Sequence, residues 1–536
     1  MKRMSNQLFN LLDEPWIRVM DKDGAVEEKS IYDVLLHAQD YLRLAGETET
    51  QNLPVFRILE AILLAIYAKY DANGNFDPIE ESEDASKRWG ELWEHKHFEE
   101  KPLREYLETY RDRFWLRDDQ YPFMQSIKAK DGTDYKTSKL IGELSESNNK
   151  VRLFQSRLGE GKEKLSCAEA ARWLLFVNAF DDTSAKAKQK GLPSPGAGWL
   201  GQIGPIYAKG DNLYESLLLN LVFLNDDEVW NEIKPTWEMA PRYGERTKIV
   251  PPNNPATLYT TASRRLLLKW NGDKVVGYTS LGGDFFDKTD YFVEMNTAYR
   301  LDKKSKSASI YLPKKIDPSK QIWRDFKNLF VESSEDDHRI PGVIHWIREL
   351  QSDGRLSNDQ KVTFETSSVQ YGNKCFFIND LTGDSLTIST ALLKDENEVW
   401  RIMVEKAVSL CEKMANEAGS CKYNIALAKG VSGDDILKKE RAQGKIAFYD
   451  RVDIPMRIWM NQLDPNTQDQ KEELENIKVE FKKGADDLIN EWVGNSSVGA
   501  LQGRMVKGRH YSLPESINWF MWHIHELLKG GEKNGK

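Results

Sequence analysis

The rhythm of apolar and polar positions changes twice along the chain. Near the N-terminus Trp16, Ile17, Val19 and Met20 form a short apolar run, Asp21-Lys22-Asp23-Gly24 reads as a turn, and Val26 opens a return strand. Ser30 with Asp33 caps a short helix through Leu36. Residues 53–70, LPVFRILEAILLAIYAKY, are apolar on nearly every face and predict a buried helix with Pro54 near its first turn. Residues 84–116 continue at helical spacing with charged outer faces. The periodicity then breaks into loop and short strands until Ser166 and Glu169, an S-x-x-E capping box, open a helix over 166–180. The loop before that helix carries an apolar pair, Leu153 and Phe154, between Arg152 and Arg157.

After an apolar helix at 211–224, the signal from 230 to 390 becomes β-rich and punctuated by Trp and Pro. LLLKW and KVVGYTS flank Asn271-Gly272, a strong hairpin signal, and ASIYL and KCFFIN read as further strands. One helix, with Trp323, Phe326, Leu329 and Phe330 on a single face, interrupts this region. Beyond 395 the strand signal disappears. Segments 396–418, 444–463, 470–493 and 514–530 all show helical spacing with polar links, which predicts a bundle. The expected class is α+β: a large mixed α/β N-terminal domain over 1–390, with short antiparallel strands and long loops, then a C-terminal four-helix bundle over 391–536.

Composition adds bounds. A chain of 536 residues with 40% hydrophobic and 30% charged residues is folded and exceeds one ordinary core. No apolar run is long enough to span a membrane, the N-terminus has no secretory pattern, and the four cysteines are scattered. Those features point to a cytoplasmic protein with free thiols. The net charge of −9 restricts any nucleic-acid binding to local patches. Two candidates are 300–320, with a surplus of five cations, and AKAKQKG at 185–191.

Searches for chemistry return little. GEGKEK at 159–164 lacks the first glycine and the hydroxyl of a phosphate loop, since Ser156 and Glu163 occupy those positions. In HIHELLK, Lys529 stands where a second zinc ligand would be required, and His523 and His525 do not share a helical face. His95 and His97 in WEHKHFEE read the same way, and no G-x-S-x-G elbow occurs. No catalytic residue, metal or cofactor is expected.

Several phrases, in order, carry a resemblance: FNLLDEPWIRV (9–19), YPFMQ (121–125), LFQSR (153–157), LYTTASRRLLL (258–268) and IAFYDRVDIP (446–455). Together with the helical final third, the chain resembles the CasA family, the large subunit of the type I-E CRISPR surveillance complex Cascade. The resemblance implies a subunit that does no chemistry itself. It would recognise the protospacer-adjacent motif (PAM) of double-stranded DNA, largely from the minor groove, help to open the duplex, and help to recruit the effector helicase–nuclease. The implied partners are the other Cascade subunits, the 5′ end of the guide RNA, target DNA and that nuclease; protein reads the PAM and base pairing reads the rest.

By the same resemblance, Phe154, Gln155, Ser156 and Arg157 belong to the loop tied to the guide's end, although Phe154 can equally anchor that loop to the core. The family's glycine loop falls in 181–191, where only Gly191 is glycine; Ser184, Lys186, Lys188 and Lys190 are the candidate contacts. The strand-separating wedge maps to 367–375, with Gln370, Asn373 and Lys374 as candidates and Gly372 expected to supply the tight turn; an ordinary hairpin turn is the competing reading. Lys288 is the candidate lysine finger. A purely structural scaffold, or a nuclease with an unrecognised site, are the alternatives of other classes.

Overall fold

Backbone hydrogen bonding in the first part of the chain is satisfied by several small antiparallel sheets instead of one large one. The computed structural model describes residues 7–146, 151–184, 191–226, 228–240, 246–286, 292–302, 310–332 and 337–530. The chain divides into two compact units, one of 1–320, 332–356 and 362–385, the other of 321–331, 357–361 and 386–536. Among the described residues no helix is long and apolar enough to cross a membrane.

In the larger unit, Ile17–Asp21 pairs with Val26–Lys29 across the expected turn and also with Tyr41–Leu44, a third strand the pattern did not reveal. Ser30 and Asp33 form a reciprocal capping box at the start of Ile31–Leu36. The buried helix runs Glu49–Tyr67, so Pro54 lies inside it and not at its first turn. The predicted helix over 84–116 is two helices, Ser82–His95 and Glu100–Thr109, followed by the strand Trp115–Arg117. Lys96, with a φ of 62°, ends the first of them. Arg264–Asn271 and Lys274–Gly282 form the hairpin expected around Asn271-Gly272, and Thr133–Lys136 completes that sheet. The helix Gly342–Ser352 went unread within the β-rich region. KCFFIN is not a strand throughout, because its first residues belong to a turn and Ile378–Ser389 begins only after it.

Helix Cys167–Phe180 is the buried axis of the site described below. Its Ser166–Glu169 capping box forms as the sequence predicts, and apolar side chains cover most of its faces. Arg172 ties it to the N-terminal sheet, donating to the carbonyl of Trp16 at 2.7 Å and pairing with Glu28 at 2.7 Å and Glu47 at 3.2 Å.

In the smaller unit, Glu398–Lys429, Asp434–Gln462, Gln470–Gly494 and Leu513–Leu528 are the four long helices of the C-terminal region. The first two approach backbone to backbone at Gly419 and Gly444: a Cβ on Gly444 would lie 2.7 Å from the carbonyl of Ala418. Trp323 packs with this unit and donates to Asp453 at 2.7 Å. Cys411 and Cys421 are buried, and desolvation raises both thiols, Cys421 to about 12, so neither is a nucleophile at neutral pH.

Glu60, inside Glu49–Tyr67, has no hydrogen-bond partner for either carboxyl oxygen among the described residues. Burial holds its pKa well above the usual carboxylate range. The native state therefore keeps a proton that the unfolded chain releases above pH about 4.3. Stability is fully present below that value and declines as pH rises, by up to about 1.4 kcal/mol per pH unit, until the native pKa is reached. Glu60→Gln removes this dependence. The melting temperature of the variant relative to the parent should rise between pH 5 and pH 8; the same difference at both pH values would contradict a buried neutral carboxyl.

Candidate nucleic-acid interface

Two segments far apart in sequence meet at one hairpin, formed by Lys361–Tyr371 and Ile378–Ser389 with a short turn at Asn373–Cys375. Gly372 stands at the tight turn expected there, with a φ of −68° that any residue can adopt. Lys374 and Cys375 take the left-handed conformations of the turn, at φ 55° and 56°. Glycine is needed at 372 for another reason: a Cβ there would lie 2.5 Å from the Phe377 ring. The Gly372 N–H closes the turn onto the Phe377 carbonyl at 2.8 Å. Gln370, Asn373 and Lys374 are exposed around this tip, beside an exposed Phe376.

The exit of helix Cys167–Phe180 meets the tip directly. Thr183 donates its N–H to the Cys375 carbonyl at 2.8 Å and its hydroxyl to the Lys374 carbonyl at 2.9 Å. Tyr371 donates to the carbonyl of Phe180 at 2.6 Å. Ser184 follows, its N–H on Asp182 at 2.8 Å. Lys186, Lys188, Lys190 and Lys288 lie outside the described residues.

Below this exit sits a buried group of four charges. Arg264 pairs with Asp181 at 2.6 Å, and Lys139 pairs with Asp182 at 2.5 Å. The Arg264 guanidinium also donates to the carbonyls of Asp182 at 3.0 Å and Gly196 at 2.7 Å, so one side chain holds both sides of the intervening loop.

The loop preceding the helix reaches the same hairpin through Arg152, which donates to the carbonyls of Ile378 at 3.0 Å and Asn379 at 2.9 Å, and to Leu144 at 3.0 Å. Leu153 and Phe154 are each 94% exposed, so Phe154 does not anchor the loop in the core. The loop's cations, by contrast, are largely turned to internal carboxylates. Arg157 faces Glu47 and Glu169, Lys162 pairs with Glu146 at 2.5 Å, and Lys164 pairs with Glu160 at 2.8 Å. Although burial opposes its charge, Glu47 and Glu169 raise the pKa of Arg157, which fixes it as a tether within the fold. Ser156 bonds Glu143, and Gln155 bridges the Arg152 carbonyl at 2.7 Å and Lys162 at 2.9 Å. The loop also exposes four large apolar side chains: Val151, Leu153, Phe154 and Leu158.

Sequence reasoning missed Arg152, Lys139, Asp181 and Arg264 as the groups that position these segments. Arg264 stands in the TTASRR phrase, and a pair of arginines opening an apolar strand was a readable signal of a buried charge partner. The YPFMQ phrase is also structural: Gln125 donates to the Leu116 carbonyl at 2.7 Å and accepts from the Leu268 N–H at 3.0 Å.

Small antiparallel sheets, a helical C-terminal region and this gathered hairpin define a fold shared with CRISPR-associated proteins of known structure. The crystal structure of Thermobifida fusca Cse1 superposes with a TM-score of 0.83 at 25% identity, covering 98% of this chain and 99% of that one. A chain of a CRISPR RNA-guided surveillance complex superposes with a TM-score of 0.69 at 15% identity, covering 97% and 99% respectively. The CRISPR-associated protein CasA/Cse1 of Thermus thermophilus is 32% identical over 461 residues, 84% of this chain and 82% of its own length. The family model for CRISPR-associated protein Cse1 matches residues 10–488, and the chain belongs to that family.

Arg152 can be tested as the tether. Arg152→Ala removes three guanidinium bonds from a surface loop, at a cost of about 1–3 kcal/mol confined to that loop. Limited proteolysis should cut within 151–158 several-fold faster, with global melting nearly unchanged. An unaltered cleavage rate would show that other contacts hold the loop.

Proposed function

We propose that this chain is the large, non-catalytic subunit of a type I-E Cascade surveillance complex. In this reading it recognises the PAM of invading double-stranded DNA, largely from the minor groove. It helps to open the duplex for guide-RNA pairing and helps to recruit the effector helicase–nuclease. Its partners are the other Cascade subunits, the 5′ end of the guide RNA, target DNA and that nuclease, and it works in the cytoplasm. The observation that carries the reading is the convergence of the loop at 151–158, the exit at 183–184 and the hairpin tip at 370–377. Family membership and the fold shared with a chain of an RNA-guided surveillance complex support it.

The chemistry of each part suits its assigned role. The hairpin tip presents the amides of Gln370 and Asn373 on a backbone held from behind by Thr183. Amides can donate and accept at base edges, and the minor groove's degenerate pattern makes a relaxed PAM choice expected. Wedging a duplex costs a few kcal/mol of unstacking per step, offset by backbone contacts and the heteroduplex that follows. Phe154, solvated on both sides, suits stacking on an unpaired base at the guide's end, worth about 1–3 kcal/mol. Net acidity is tolerable because this subunit contributes local contacts while the guide and sister subunits organise the assembly.

Filter binding of PAM-containing and PAM-mutated duplexes to the complex, with and without this subunit, tests the reading. The subunit should raise affinity at least tenfold for the PAM duplex only. Equal binding in all four cases would leave a scaffold role.

Gln370→Ala combined with Asn373→Ala should slow strand opening, followed by a fluorescent base analogue, more than it weakens PAM binding. Undiminished opening would move the wedge elsewhere.

A further inference from the structure

Helix Ser82–His95 ends where Lys96 enters the left-handed region, and the chain turns back on itself there. In a continuous helix, residues two apart point to different faces. Here the turn brings the rings of His95 and His97 together, tilted by 34° with their centroids 4.2 Å apart, correcting the expectation that the pair cannot act together. Glu99, the N-cap of Glu100–Thr109, brings Oε1 to 3.0 Å from His95 Nε2 and 3.4 Å from His97 Nε2. One donor atom from each residue lies within 4.8 Å of the other two.

These separations match a metal's requirements. Tetrahedral zinc, with bonds of about 2.0–2.1 Å, sets its ligand atoms roughly 3.3 Å apart. His97 Nδ1 lies 3.0 Å from the His95 carbonyl, which can accept an N–H there and leave the Nε2 lone pair facing the cluster. The Glu99 backbone is fixed by its N–H donating to the Tyr67 hydroxyl at 3.2 Å. The neighbouring cation is drawn away: Lys96 Nζ lies 3.6 Å from Glu215 and 4.5 Å from the Trp93 ring centroid.

We propose that His95, His97 and Glu99 bind a divalent transition-metal ion of the zinc type, with solvent completing its coordination. Two imidazoles and one carboxylate suit zinc, copper or nickel better than magnesium or calcium. The ion joins the end of one helix to the start of the next, so its binding energy stabilises that corner.

The full-length chain, stripped with a chelator and titrated with zinc chloride by calorimetry at neutral pH, tests the site. One equivalent should bind with micromolar or tighter affinity, and zinc should raise the melting temperature. His97→Ala and Glu99→Gln, both at accessible positions, should each lose at least tenfold in that affinity and lose the thermal shift. Cobalt(II) should show the visible absorption of a tetrahedral site in the parent only. No binding by the parent, or unchanged affinity in both variants, would overturn the proposal; the variants discriminate against the other histidines and the four cysteines.

Discussion

Two carboxylates leave the buried helix already enclosed by protein, and the geometry of the helix exit that meets the hairpin depends on their being neutralised there. Asp181 and Asp182 meet Arg264 and Lys139, pairing two carboxylates with two buried cations. Such a set adds little net stability as a whole, yet removing one member strands a buried charge at a cost of about 3–5 kcal/mol. Its value here is positional. Arg264 also donates to the carbonyls of Asp182 and Gly196, so the backbone at these two points is held by one side chain.

That base in turn supports the hairpin. Two adjacent non-glycine residues, Lys374 and Cys375, hold left-handed conformations that cost on the order of 1–3 kcal/mol each. Their carbonyls are the two that accept hydrogen bonds from Thr183, directly after the buried aspartates. The strained tip is therefore tied to the charged base through Thr183, and the exposed Gln370 and Asn373 stand on a backbone held by these hydrogen bonds.

The loop at 151–164 shows why formal charge is a poor guide to a surface. Its cations suggest a basic arm, but Arg157, Lys162 and Lys164 each face a carboxylate, and Arg152 is engaged with main-chain carbonyls. Beside these pairs the loop exposes four large apolar side chains, led by Leu153 and Phe154.

Local chemistry alone determined a good part of this protein. The Ser30 and Ser166 capping boxes, the Asn271-Gly272 hairpin and the four C-terminal helices follow from interactions within a few residues or from one periodic face, and those are written in the chain. Five short phrases were enough to place the chain in its family. Tertiary structure decided everything that joins distant residues. The left-handed Lys96 that breaks a continuous helical pattern, the assignment of the hairpin's turn to Lys374 and Cys375, and the grip of Arg264 on both sides of one loop have no local signature. A backbone conformation at one residue, or the choice of partner for a buried charge, is settled by what packs against it, and sequence spacing carries no record of that neighbour.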